Sequence, residues 1–168
     1  MRTKLLWVMA LVILGVVNYA VWQKGQVLAE GKIVLLELAP RDPRSLMQGD
    51  YMVLRYHVAE DIRRQLGEPS ADGLAVVALD EQGKAGFVRI HQANTPLQEN
   101  EVVIRYRKRG QVVRIGAESY FFQEGRAAVY APAKYGEVKV AKDGEVVLVG
   151  LRDAERRPLG PAVSANGR

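Results

Sequence analysis

Few residues in this chain can carry chemistry. It has no cysteine, which excludes thiol nucleophiles, Cys-bearing zinc sites, a lipid-modified cysteine and any disulfide framework. Ser45 is a candidate hydroxyl nucleophile, but a serine attacks only when a base takes its proton. Lys84, Lys134, Lys139 and Lys142 all stand beside turn signals, where solvation keeps an amine charged. A plain loop hydroxyl is the expected role of Ser45. His57 and His91 are the two histidines; with Glu60 or Asp61 they make a three-ligand set whose spacing matches no metal motif. No metal or other cofactor is expected. Arg105, Arg107, Lys108, Arg109 and Arg114 form the one basic concentration, at a hairpin tip. It reads as a solvated edge that discourages strand-to-strand aggregation; facing a bilayer it would attract anionic headgroups. Tyr120, Phe121 and Phe122 read as core and sheet edge.

Residues 49–56, Gly49-Asp50-Tyr51-Met52-Val53-Leu54-Arg55-Tyr56, are the most distinctive stretch. Residues 50–58 are rich in β-branched and aromatic types and read as a strand. Side chains alternate along a strand, so Met52, Leu54, Tyr56 and Val58 share a core face while Tyr51, Val53, Arg55 and His57 share the other. Gly49 serves the strand entry through a backbone conformation closed to other residues. Asp50 accepts hydrogen bonds from backbone N–H groups of the preceding loop. The motif is therefore chiefly architectural. Tyr51, Arg55 and His57 make a polar and aromatic patch which, with Arg41, Asp42 and Arg44 of the loop before it, is the candidate contact with a partner.

In full, these eight residues match the signature G-D-Y-x-x-L-x-Y, and the chain resembles the GDYXXLXY family of small membrane-anchored bacterial proteins of unknown function. Gly49, Asp50, Tyr51, Leu54 and Tyr56 are the signature positions. Asp42-Pro43-Arg44, residues 118–122 with Glu124-Gly125, and Gly150-Leu151 are similar to the family as well. The resemblance implies a single-span accessory subunit, found with or fused to multi-span membrane proteins. Ser45-Leu46-Met47 followed by Gly49-Asp50 also resembles the catalytic serine region of membrane-anchored bacterial signal peptidases. There the methionine directly follows the serine and the Gly-Asp stands farther on, so the serine-protease reading with Ser45 as nucleophile is the alternative. A small-ligand-binding barrel, with a pocket beside Tyr51 and Arg55, is a second alternative.

The N-terminus bears on location. Residues 5–22 carry no charge and one strongly polar side chain, Asn18, behind Arg2 and Lys4 and ahead of Lys24. At about 1.5 Å per residue such a stretch just spans a hydrocarbon core of roughly 30 Å. Arg2 and Lys4 outweigh Lys24, so the positive-inside rule puts the N-terminus in the cytoplasm and the rest outside the inner membrane. Val27-Leu28-Ala29 fits a loose cleavage pattern, but the apolar run exceeds a signal peptide's, and an uncleaved anchor is expected. Setting aside Arg2, Lys4 and Lys24 leaves 21 of the 24 Lys+Arg against 19 Asp+Glu, a net +2. The whole-chain pI of about 9.6 is thus no argument for nucleic acid as a partner.

Turn chemistry divides the remainder into short strands. Residues 32–38 form one, and Pro40 and Pro43 keep the following loop out of regular pairing. Residues 59–66 have helical spacing. Three hairpins follow: 74–79 with 86–91, 101–107 with 111–115, and 137–142 with 145–151, the last about an Asp143-Gly144 suited to a type I′ turn. Residues 124–131 allow a helical turn. Three hairpins predict a mostly β fold, an antiparallel sandwich or partly closed barrel with one or two short helices. The expected divisions are residues 1–24 as leader and anchor, 25–155 as a β-domain, and 156–168 as a disordered tail. The expected function is non-enzymatic: an accessory module that binds another membrane or envelope protein.

Overall fold

The structure, a computed structural model, describes residues 2–39, 47–48, 51–66 and 72–160. Its first element, α1 (Arg2–Glu30), is one uninterrupted helix. Within it Leu6–Glu30 is long and apolar enough to cross a membrane. Apolar side chains from Leu6 to Trp22 are exposed on every face, and Asn18, the polar exception, donates its Nδ2 to the Leu14 carbonyl at 2.8 Å, which satisfies it within the helix. Burial begins only at Val27, where the last turns meet the β-domain.

That domain is antiparallel throughout its named strands. β1 (Lys32–Glu37), β9 (Tyr135–Val140), β10 (Val146–Arg152) and β11 (Pro158–Leu159) make one sheet in that order. A second runs β2 (Met47–Gln48), β3 (Tyr51–Val53), β8 (Ser119–Phe121), and a third runs β5 (Ala85–Ile90), β4 (Asp72–Leu79), β6 (Glu101–Arg109), β7 (Val112–Arg114). Short helices α2 (His57–Leu66) and α3 (Ala127–Tyr130) complete the fold. The sheets curl as half-barrels around a shared core to which Val34, Leu36, Met52, Leu54, Ile62, Val77, Ile104 and Val138 contribute. Fully burying an aliphatic side chain of this kind contributes about 1.5–3 kcal/mol.

Single backbone bonds stitch the sheets together. Leu35 N–H donates to Gly83 C=O at 2.8 Å, Ala39 N–H to Arg55 C=O at 2.8 Å, and Arg105 N–H to Gly144 C=O at 2.7 Å. Glu37 adds a charged tie, with Lys84 Nζ at 2.7 Å and Lys134 Nζ at 3.2 Å. The hydrogen bond from Lys84, followed by that from Lys134, holds its carboxyl below the ordinary glutamate value despite burial.

Several expectations change. The strand expected over 50–58 is regular only to Val53; the chain then runs extended to Tyr56, which bridges Leu38, and α2 begins at His57. Val58 belongs to the helical row completed by Ile62, both buried, so it closed the strand alternation by coincidence. His57 consequently sits in the first turn of a helix, not on a strand face with Tyr51 and Arg55. The Asp143-Gly144 turn is not type I′, because only Gly144 has positive φ (82°). Ala141 N–H donates to Glu145 C=O and Gly144 N–H to Ala141 C=O, which makes a three-residue loop closed by a left-handed glycine. Residues 156–160 of the expected tail are folded: Pro158 and Leu159 pair with Arg152 and Leu151, and Asp153 receives the Arg157 N–H and Nε–H at 2.8 Å each. Residues 161–168 lie outside the described residues.

Candidate functional site

The third sheet turns one chemically uniform face outward. Along β6, Ile104, Tyr106 and Lys108 point into the core and are buried, while Arg105, Arg107 and Arg109 alternate with them and are exposed. Arg107 pairs in register with Arg114 of β7, so four guanidinium groups share one surface. Lys108 corrects the sequence reading of five solvated cations, since its side chain is 0% exposed.

This face floors an open groove of about 760 Å³. One wall is residues 116–121, leading into and including β8; the other is Glu145, Val146, Val147 and Leu148 at the start of β10. The walls converge at Gly116, whose φ is 56° and where an added Cβ would lie 3.0 Å from Val146 Cγ1. Lys24, in the last turns of α1, lines the same groove and forms an ion pair with Glu145. Nearby, Lys139 Nζ donates to the Leu28 carbonyl. The groove therefore opens beside the point where the apolar helix leaves the domain.

Most of its cations have partners at the rim. Arg109 meets Asp72 at 2.6 Å, Arg114 meets Glu118 at 3.2 Å, and Arg105 meets Asp143 at 3.6 Å. The Arg109 hydrogen bond holds the Asp72 carboxyl below its ordinary value. Solvent screens exposed pairs of this kind, and they contribute little to stability. At the centre of the face, Arg107 has no ion pair among the described residues.

A smaller cleft of about 290 Å³ adjoins this groove, lined by Val53, Arg55, Tyr56, Glu60 and Arg63 and sharing Arg114, Glu118 and Ser119 with it. Arg55 is exposed there. Tyr51 is half-buried on the neighbouring strand and stacks on Phe121, ring centroids 5.5 Å apart. The structure thus sets Arg55 and the Tyr51–Phe121 pair on surfaces that adjoin the arginine face. Leu54 and Tyr56 are interior: Leu54 is 3% and Tyr56 2% exposed. Tyr56 donates its hydroxyl to the Ala117 carbonyl at 3.0 Å, and its ring lies where a Cβ at Gly136 would come within 2.9 Å. Gly49, Asp50, Arg41, Asp42, Arg44 and Ser45 lie outside the described residues.

Three of the four lysines weighed as general bases, Lys84, Lys134 and Lys139, have other roles. Lys84 is raised above its ordinary value, chiefly by its hydrogen bond with Glu37, and an amine so held keeps its proton. Lys134 shares that carboxylate, and Lys139 is occupied with the end of α1. Among the described residues no group of three or more His, Asp or Glu side chains is placed to hold a metal. Glu60 and Asp61 instead pair along α2 with Arg63 and Arg64.

Sequence reasoning missed the groove and the inward turn of Lys108. The signal for the second was present, since Lys108 shares the parity of Ile104 and Tyr106. The family model described as GDYXXLXY protein matches residues 13–151. Comparison with curated proteins and with solved structures returns no match.

Proposed function

The chain belongs to the GDYXXLXY family, and we propose that it is a membrane-anchored, non-enzymatic interaction module. In this reading α1 spans the cytoplasmic membrane, the β-domain stands on its outer side, and the domain binds another membrane or envelope protein as an accessory subunit. The observation that carries it is the junction of helix and domain. Val27 is buried, Lys24 pairs with Glu145, and Lys139 reaches the Leu28 carbonyl, so no flexible linker separates anchor from domain. A domain held this way presents its surfaces at a fixed height above the bilayer, which suits a subunit that docks on a neighbouring membrane protein. The same packing favours an uncleaved anchor, because residues 27–29 are helical and both Val27 and the Leu28 carbonyl belong to that contact. Arg2 and Lys4 ahead of the apolar run support the orientation.

The polar face beside the signature is the contact surface in this reading. Photocrosslinking in intact cells tests it, with the crosslinker at Tyr51, Arg55 or His57 and at Val88, an exposed position on β5, as control. The expected result is one membrane protein captured from Tyr51 or Arg55, with His57 in the first turn of α2 as a flanking position, and not from Val88. Equal capture from all four positions would remove the basis for a specific contact.

A further inference from the structure

Of the four exposed arginines on this two-stranded face, three meet a carboxylate at the rim, and Arg107 has no ion pair among the described residues. Arg107 and Arg114 are direct cross-strand partners, and like charges so placed repel. The rim carboxylates thus leave the charge concentrated around Arg107. We propose that this groove binds the phosphate of an anionic phospholipid headgroup from the leaflet at which α1 emerges.

Location selects the occupant. Lys24, two residues past Trp22, where the unbroken run of exposed apolar side chains from Leu6 ends, lines the groove, so with α1 in a bilayer the arginine face stands at the level of headgroups. Guanidinium groups match phosphate oxygens with paired N–H donors. The volume of about 760 Å³ falls within the roughly 300–1,000 Å³ usual for small-molecule sites. Phe121, 75% exposed, on one wall and Val147 and Leu148 on the other supply apolar surface to the groove. An apolar ring beside a row of cations is the composition with which surface-lying segments enter the headgroup boundary.

The test uses the full chain in nanodiscs of phosphatidylcholine, titrated calorimetrically with short-chain phosphatidylglycerol below its micelle concentration. Phosphatidylglycerol is expected to bind, short-chain phosphatidylcholine is not, and added salt should weaken the binding. Replacing both Arg107 and Arg114 by Gln should weaken it roughly 30-fold, the effect of two cations near an anionic surface. Both side chains are exposed, so the fold should survive, and unchanged circular dichroism checks this. A second variant, Arg107→Lys, keeps the charge without the fork and should retain phosphatidylglycerol binding with a several-fold loss. The proposal is overturned if both lipids bind alike, or if the double substitution has no effect. Inorganic phosphate binding as tightly as phosphatidylglycerol would overturn it in favour of a free-phosphate site, and tighter binding of a glutamate-rich peptide in favour of a protein ligand.

Discussion

Replacing Tyr56 by Phe should destabilise the domain at neutral pH and stabilise it in strong alkali. The ring is 2% exposed and its hydroxyl donates to the Ala117 carbonyl at 3.0 Å. Tyr56→Phe keeps the ring and deletes that bond, leaving a half-buried acceptor, which costs about 1 kcal/mol. Burial, with help from the Glu118 carboxylate, pushes the Tyr56 hydroxyl well above its ordinary value of 10.0. The folded chain therefore keeps this proton while the unfolded chain gives it up. A raised folded pKa contributes stability that is fully present below the unfolded value and is lost as pH rises towards the folded one. Above pH 10 the wild type loses about 1.4 kcal/mol per pH unit through this group, and the variant loses none of it. The two stability curves should then cross between about pH 10 and pH 11, where the lost proton linkage offsets the hydrogen bond. Tyr106 and Tyr120 are also raised by burial, but they titrate equally in both proteins and cancel in the difference. Urea unfolding of the full chain in detergent, followed by circular dichroism at a series of pH values, measures the crossing. Curves that stay parallel through pH 11 would show that the hydroxyl is solvated in the folded state and would refute the reasoning.

Four further outcomes are expected. Ile62→Ala empties a fully buried position on α2 and should cost about 2–5 kcal/mol in urea unfolding. Gly144→Ala forces a left-handed residue (φ 82°) to carry a Cβ 3.1 Å from Leu74 Cδ2 and 3.2 Å from the Arg105 nitrogen, costing at least about 1–2 kcal/mol in the same assay. Glu37 has a depressed folded value, so its contribution is present above the ordinary 4.5 and is lost as pH falls through the folded value. Glu37→Gln should accordingly flatten the acid limb of stability against pH, and an unchanged limb would count against the Lys84–Glu37–Lys134 tie. Because the chain has no cysteine, a single Leu97→Cys variant reports orientation: a membrane-impermeant maleimide should label it in intact spheroplasts, and labelling only after lysis would reverse the topology.

What the sequence revealed and what it concealed divide along the range of the interactions. Hairpins such as β4 with β5 were legible because alternation and a glycine-bearing turn lie in one short stretch of chain, Asp72 to Ile90. Loop type was not, since Asp143-Gly144 serves both two- and three-residue loops, and the choice depends on where pairing stops, here at Ala141 and Glu145. The start of α2 was hidden because Val58 satisfies a strand period from Met52 and a helix period towards Ile62. The groove was beyond local reading altogether, for it joins Lys24, Arg105 and Glu145, which only the folded chain brings together.

The signature itself combines both kinds of information. Its leucine and final tyrosine face inward and bind β3 to the segment before β8, through Leu54 N–H to Glu118 C=O and Tyr56 hydroxyl to Ala117 C=O. Those two carbonyls belong to the wall of the arginine groove. The buried half of the motif therefore sets the position of Glu118, which pairs with Arg114, and of Phe121, on which Tyr51 stacks. A substitution at Leu54 or Tyr56 should move the groove wall without touching any charge. Phosphatidylglycerol affinity in Tyr56→Phe should then fall less than in the double arginine variant, yet along with unfolding stability, whereas loss of the arginines should lower affinity and leave stability where it was.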